Sequence, residues 1–149
     1  MAGVAGRVAL VTGAGAPGGI GFAIARTLAA AGARVAVTAT TARIHDRAAE
    51  LGGIGHVADL TDPAQVRGLF STVEATLGPV DILVNNAGMV QTGKRVKRGP
   101  LSDWSDKDWA HHMALNINTT FHCCRAVLPG MVTRGHGRIV NISSVTGPV

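Results

Sequence analysis

Thr12-Gly13-Ala14-Gly15-Ala16-Pro17-Gly18-Gly19-Ile20-Gly21 follows the apolar run Val8-Ala9-Leu10-Val11 and leads directly into the helical pattern Phe22-Ala23-Ile24-Ala25-Arg26-Thr27-Leu28. A strand, a glycine-rich turn and a helix in that order build a cradle for the pyrophosphate of a dinucleotide, because free amides at the helix start supply donors and a favourable dipole. Glycine is required where the turn takes positive φ and where a Cβ would hold the backbone away from the phosphates. Outside that context a glycine string is an ordinary turn; the strand-to-helix slot gives it meaning. Two registers fit. Gly13, Gly15 and Gly18 satisfy a GxGxxG spacing, whereas Thr12, Gly13, Gly19 and Gly21 form a TG…GxG pattern with two extra residues, Pro17 among them. Segments further along the chain favour the second.

Beyond this turn, apolar runs of strand length recur at Arg34–Ala39, Ile54–Ala58, Val80–Asn85 and Arg138–Ser143, with helical stretches between them. Strands alternating with helices give a parallel sheet covered on both faces, so the fold class is α/β with a doubly wound sheet. With strands numbered in chain order, the expected order is 3-2-1-4-5. The punctuation agrees. Gly32 fits the end of the first helix, Thr61-Asp62-Pro63 a helix start, and Gly78-Pro79 a helix stop before the fourth strand. Ser105 with Asp108 reads as a capping box for a long helix reaching to about Pro129. Met89 to Asp103 is the one long irregular segment, either a functional loop or an insertion.

The chain has 149 residues, the size of one domain, and its 46% apolar content supports a core. Aromatics make up only 3%, so Ala, Val, Leu and Ile must fill that core, as suits helices packed on a parallel sheet. The two cysteines, Cys123 and Cys124, are adjacent in a helical stretch and give no disulfide framework, which points to a reducing cytoplasm. No apolar run has the length of a membrane span, and MAGVAGR lacks the pattern of a secretory leader. The net charge of +5 raises nucleic acid as a partner, yet the basic cluster Lys94, Arg95, Lys97 and Arg98 holds no aromatic to stack on bases. A solvated loop is the plainer reading. Six histidines give no HxxxH or HExxH pair and no carboxylate cluster accompanies them, so no metal site is expected.

Two further turns fall at the carboxyl ends of parallel strands, where ligands bind in doubly wound sheets: Asn85-Asn86-Ala87-Gly88 and Ser143-Ser144. Each alone is a common strand-end turn. Together with TGAGAPGGIG, with ADLTD at Ala58, LNINTTF at Leu115 and GRIVNISS at Gly137, they occur in a consistent order from about Gly6 to Gly147. In this set of segments the chain resembles the short-chain dehydrogenase/reductase family, whose fold is a Rossmann-type sheet and whose members are NAD(P)-dependent oxidoreductases. The resemblance implies that Thr12, Gly13, Gly15, Gly19, Ile20 and Gly21 form the pyrophosphate cradle. It places Asp59 at the adenine ring, Leu60 among the cofactor contacts, and Asn86, Ala87 and Gly88 against the adenosine ribose. Asn116 would match the helix asparagine that holds a water in the proton relay, with a bond to a neighbouring helix carbonyl as its plainer role. Ser144 would match the serine that hydrogen-bonds the substrate carbonyl.

There the pattern breaks. The family's general acid is a tyrosine beyond that serine, one helical turn before a lysine, and this chain ends at Val149 and contains no tyrosine. The fifth strand is apolar enough for the interior of a sheet, yet nothing here can pair with its outer edge. The expectation is therefore the amino-terminal portion of a longer enzyme, its remaining strands and helices missing, and inactive by itself. NAD selectivity rests on a carboxylate at the end of the second strand, whereas Val37-Thr38-Ala39-Thr40-Thr41-Ala42-Arg43 has none and Asp46 lies too far into the helix. Hydroxyls beside an arginine suit a 2′-phosphate, so NADP is the expected cofactor, with Thr40, Thr41 and Arg43 as contacts. NAD stays open, as does a solvated role for Arg43.

The expected reaction is reversible hydride transfer between the nicotinamide and a carbonyl or alcohol substrate. VTATT at Val37 resembles the same place in 3-oxoacyl-acyl-carrier-protein reductases, which makes an acyl-carrier-protein or CoA thioester a candidate substrate. The basic loop and Arg134 would then steer an acidic carrier. A homo-oligomer, dimer or tetramer, is expected through the long helix from Ser105. The rival reading is a non-catalytic nucleotide-binding or regulatory module that kept the cradle without the acid.

Overall fold

The computed structural model describes residues 3–88 and 99–143. β1 (Val8–Thr12) is buried at every position because it lies between β2 (Arg34–Ala39) and β4 (Ile82–Asn85), with β3 (Ile54–Val57) and β5 (Arg138–Asn141) at the edges. All pairings are parallel and the order is β3-β2-β1-β4-β5, as the alternation of strands and helices required. The strands are trimmed by a residue or two relative to the apolar runs: β4 starts at Ile82 and β5 stops at Asn141.

Alternation along the strands sorts the core into two layers. Val8, Leu10, Ala36 and Leu83 face α3 (Pro63–Leu77) and α5 (Thr119–Arg134), meeting Val66, Leu69, Phe70, Val73, Val127 and Met131. Val11, Val35, Val37 and Val84 face α1 (Ile20–Ala30) and α2 (Ile44–Leu51), meeting Ala25, Ile44 and Ala48. The buried side chains of the α1 and α2 layer are alanine and β-branched residues, with Leu28 and Leu51 packed against them. Cys123 belongs to the other layer, and burial, with the neighbouring Cys124 adding to it, pushes its thiol up to about 12.

The helix boundaries follow their capping chemistry. Gly32, at φ +86, follows the end of α1, and Asp62 caps α3 by accepting from Ala64 N at 2.8 Å, with Pro63 in the first turn. Ser105 and Asp108 form the expected capping box of α4 (Asp106–Met113). The expected single helix to about Pro129 is corrected in two respects. A π-helical segment, Ala114–Asn118, separates α4 from α5, and α5 carries Pro129 inside it and runs on to Arg134, where Gly135 at φ +62 ends it. Side chains bond back across the π segment: Asn116 Nδ2 donates to His112 O and Thr119 Oγ1 to Leu115 O, both at 2.9 Å.

Candidate functional site

The carboxyl ends of β1 and β4 are held together by one hydroxyl. Thr12 Oγ1 donates to Val84 O at 3.3 Å and accepts from Asn86 N and Ala87 N, each at 3.0 Å, while Asn86 Nδ2 returns to Thr12 O and Gly13 O at 3.1 and 3.2 Å. Thr12 is 1% exposed, so these bonds are unscreened by water. One strand further out, Asn85 Nδ2 donates to Asn141 Oδ1 at 2.9 Å across the β4–β5 register and lies 3.4 Å from Cys124 Sγ.

Steric demand decides the register of the glycine turn. A Cβ on Gly21 would stand 2.5 Å from Asn86 Nδ2 and 2.8 Å from Gly13 O, and one on Gly13, at φ +68, would stand 2.8 Å from Ala87 Cα. Gly18, required by the other register, has open space around it. Gly15 is also constrained, 2.9 Å from Ala39 Cβ, and Gly19 caps α1 in an extended conformation. Contact with β2 and with the Asn86 turn is what excludes a side chain here.

Between these strand ends, α1 and the π segment lies a cleft of about 490 Å³. Of the residues expected from the sequence, Gly13, Gly15 and Ile20 line it from the first turn. Thr40, Thr41 and Arg43 line it after β2, Leu60 after β3, and Asn86, Ala87 and Gly88 after β4. Thr12, Gly19 and Gly21 shape the cleft from behind. Asp59 is placed differently from the expectation: its carboxylate accepts from Thr61 N at 3.0 Å and Thr61 Oγ1 at 2.7 Å, so it closes the turn into α3 and does not line the cleft. Asn116 also lies outside the lining, its amide on His112 O, although its Oδ1 would be 3.2 Å from a Cβ at Gly88. Ser144 and the basic cluster Lys94 to Arg98 lie outside the described residues. Arg134 is committed to structure, donating to Val80 O at 2.8 Å.

The sequence reading missed Ala16, Thr38, Ala39, Ala58, Leu115 and Thr119 as lining residues. Thr38 had a signal, since it directly precedes the hydroxyl-rich end of β2. Its Oγ1 is buried without a hydrogen-bond partner among the described residues. Leu115 and Thr119 fall in the segment LNINTTF, which was read for Asn116 alone, and the π segment that brings Leu115 to the cleft leaves no mark in composition.

The electrostatics are one-sided. Arg43 is the only charged residue lining the cleft among the described residues, and its Nε lies 3.4 Å from Thr41 Oγ1. No side chain caps α1, in contrast to α3 and α4, and no acid stands in its first turn, in contrast to α4. Uncapped amides at the start of α1, backbone cleared of Cβ atoms and a cation at the end of β2 are suited to a phosphate-bearing nucleotide.

Comparison with known proteins agrees with this reading. The family model described as short chain dehydrogenase matches residues 7–149. The oxidoreductase UcpA of Escherichia coli (strain K12) is 41% identical over 152 aligned residues, covering 99% of this chain and 55% of that protein. The 3-oxoacyl-[acyl-carrier-protein] reductase FabG of the same organism is 39% identical over 145 residues, covering 95% of this chain and 56% of that protein. Among solved structures, a metagenomic short-chain oxidoreductase in complex with NADP superposes with a TM-score of 0.83 at 35% identity, covering 98% of this chain and 66% of that one. The chain thus spans about half the length of the two curated relatives. Matched over residues 7–149 by the family model, and sharing the fold of a solved short-chain oxidoreductase, the chain belongs to the short-chain dehydrogenase family.

Proposed function

We propose that the cleft holds NADP and that the chain supplies the cofactor-binding part of an oxidoreductase acting on a carbonyl or alcohol substrate. The observation that carries this reading is the acid-free cleft running from the uncapped start of α1 to Thr40, Thr41 and Arg43. When bound, the nicotinamide supplies the hydride that is exchanged with the substrate carbon. Gly13 and Gly15 let the backbone approach the pyrophosphate, and the first amides of α1 donate to it. Arg43 with the two threonine hydroxyls holds the 2′-phosphate, where a carboxylate would repel it. Leu60, Asn86, Ala87 and Gly88 bound the adenosine. Asn116 keeps a water for proton delivery and Ser144 orients the substrate carbonyl. The complex of the metagenomic relative with NADP supports this cofactor.

For the substrate, the likeness to FabG supports a 3-oxoacyl thioester carried on acyl carrier protein or CoA. The exposed apolar residues Ile117, Phe121, Leu128 and Val132 support a dimer or tetramer packed through this helical stretch. Among the described residues no helix is long and apolar enough to cross a membrane.

Titration of the 149-residue chain with NADPH and NADH, followed by nicotinamide fluorescence, tests the cofactor reading. Saturable NADPH binding, tighter than that of NADH, is expected; saturable binding of neither would overturn it. Reduction of a 3-oxoacyl thioester by a protein extended through the family's catalytic segment tests the substrate.

A further inference from the structure

Away from the cleft, α3 and α5 enclose a groove of about 430 Å³ lined by Pro63, Val66 and Arg67 from one helix and His122, Arg125 and Ala126 from the other. We propose that this groove binds a hydrogen-phosphate group, either free or as a phosphate monoester, with Arg67, Arg125 and His122 as its ligating side chains.

Three observations carry the assignment. First, no carboxylate lines the groove, and neither arginine pairs with one among the described residues. The nearest acid in sequence, Asp62, is committed to α3, its oxygens accepting from Ala64 N and Gln65 Nε2. Arg67 helps to hold the Asp62 carboxyl below its ordinary value but forms no ion pair with it, and Arg125 has no acid beside it among the described residues, so both guanidinium groups keep donors for an external oxyanion. Second, Arg125 is restrained, its Cζ 4.9 Å from the centre of the Phe121 ring. Stacking of this kind reduces the freedom lost when the fork engages an anion.

Third, His122 is oriented by chemistry that fixes its tautomer. Its Nδ1 lies 2.9 Å from Leu60 O, and a carbonyl can only accept, so Nδ1 carries the proton and Nε2 of the neutral ring is left as an acceptor. Two donating forks and one acceptor match an oxyanion that retains one O–H, which hydrogen phosphate and the monoprotonated form of a phosphate monoester do and a sulfate does not. Val66, Ala126 and Pro63 supply an apolar floor that strengthens these bonds. The site shares no lining residue with the cleft and touches it only through the bond of His122 to Leu60 O.

The test is a titration of the ¹⁵N-labelled chain with sodium phosphate, with glycerol 3-phosphate and with sodium sulfate, at ionic strength held constant with chloride. The Nε–H signals of Arg67 and Arg125 and the ring signals of His122 report the groove, and the amides of Gly13 and Gly15 report the cradle. Saturable shifts in the groove with phosphate or its monoester, at least tenfold weaker with sulfate, are expected. The relative affinities of the two phosphates then separate a free-ion site from one for an ester. Arg67→Gln and Arg125→Gln, both at exposed positions, should each weaken binding about tenfold, and their own spectra report that they fold. Shifts confined to the cradle, equal response to sulfate, or unchanged affinity in both variants would overturn the proposal.

Discussion

The two ends of the sheet are built from different chemistry. At the amino ends charged side chains tie the strands: Asp81 Oδ2 accepts from Val8 N at 3.1 Å, and Asp81 Oδ1 lies 3.7 Å from an Arg7 guanidinium nitrogen and 4.0 Å from His136 Nε2. At the carboxyl ends the same task falls to Thr12, Asn85 and Asn86, all uncharged. Both devices hold neighbouring strands in register, but only the second leaves the adjoining cleft without negative charge. A carboxylate is a good staple and a poor neighbour for a phosphate, and none of the described residues lining the cleft carries one.

The largest effect separating the ends is expected for Thr12→Val. Its isosteric side chain keeps the volume but leaves the amides of Asn86 and Ala87 buried without their acceptor, which costs about 3 kcal/mol. Urea unfolding measures it, and a loss below about 1 kcal/mol would mean that water replaces the hydroxyl. Gly21→Ala comes next. The methyl group would meet Asn86 Nδ2 and Gly13 O, so a destabilisation of about 2 kcal/mol with loss of NADPH binding is expected. Retained binding would show that the turn re-packs freely.

At the other end Asp81→Asn keeps the acceptor for Val8 N and removes the charge. Its cost should be about 1 kcal/mol, because Arg7 is 45% exposed and the pair is screened, and NADPH affinity should be unchanged. A change in affinity would break the separation of the two ends.

The smallest effect concerns Asp62, at a helix start on the cleft's side of the sheet but outside its lining. The Ala64 amide, then the Gln65 side chain, hold its carboxyl below the ordinary value of 3.8. With the folded value depressed, the contribution to stability is present above the unfolded value and fades as pH falls through the folded one. Asp62→Ala should therefore lower the urea midpoint slightly at pH 7 and match the parent once pH is below both values. An unchanged difference at low pH would assign the effect to packing.

Strand order and most helix boundaries were legible because they rest on local chemistry: apolar runs, Asp62-Pro63, Ser105 with Asp108, and Gly32 and Gly78 at positive φ; the end of α5 at Gly135 was not. Most of the cleft was legible too, since its residues follow strand ends directly. Three other features were not. The π segment carries neither proline nor glycine and arises where Asn116 and Thr119 bond back to the helix. The turn role of Asp59, whose Oδ1 accepts from Thr61 N and Thr61 Oγ1, was not read from its place in the motif. Thr38 stands beside Thr40 and Thr41 in sequence but was not read as a lining residue, because its burial at the cleft wall depends on pairing with both β1 and β3.

The claim that an acid-free strand end selects a phosphorylated ribose is tested most directly by calorimetric titration of the chain with adenosine 2′,5′-bisphosphate and with adenosine 5′-monophosphate. The two probes differ only in the phosphate assigned to Thr40, Thr41 and Arg43. The bisphosphate should bind about tenfold tighter, close to 1.4 kcal/mol, and Arg43→Gln should abolish the difference. Equal affinities in the parent chain, or a difference that survives Arg43→Gln, would contradict the account.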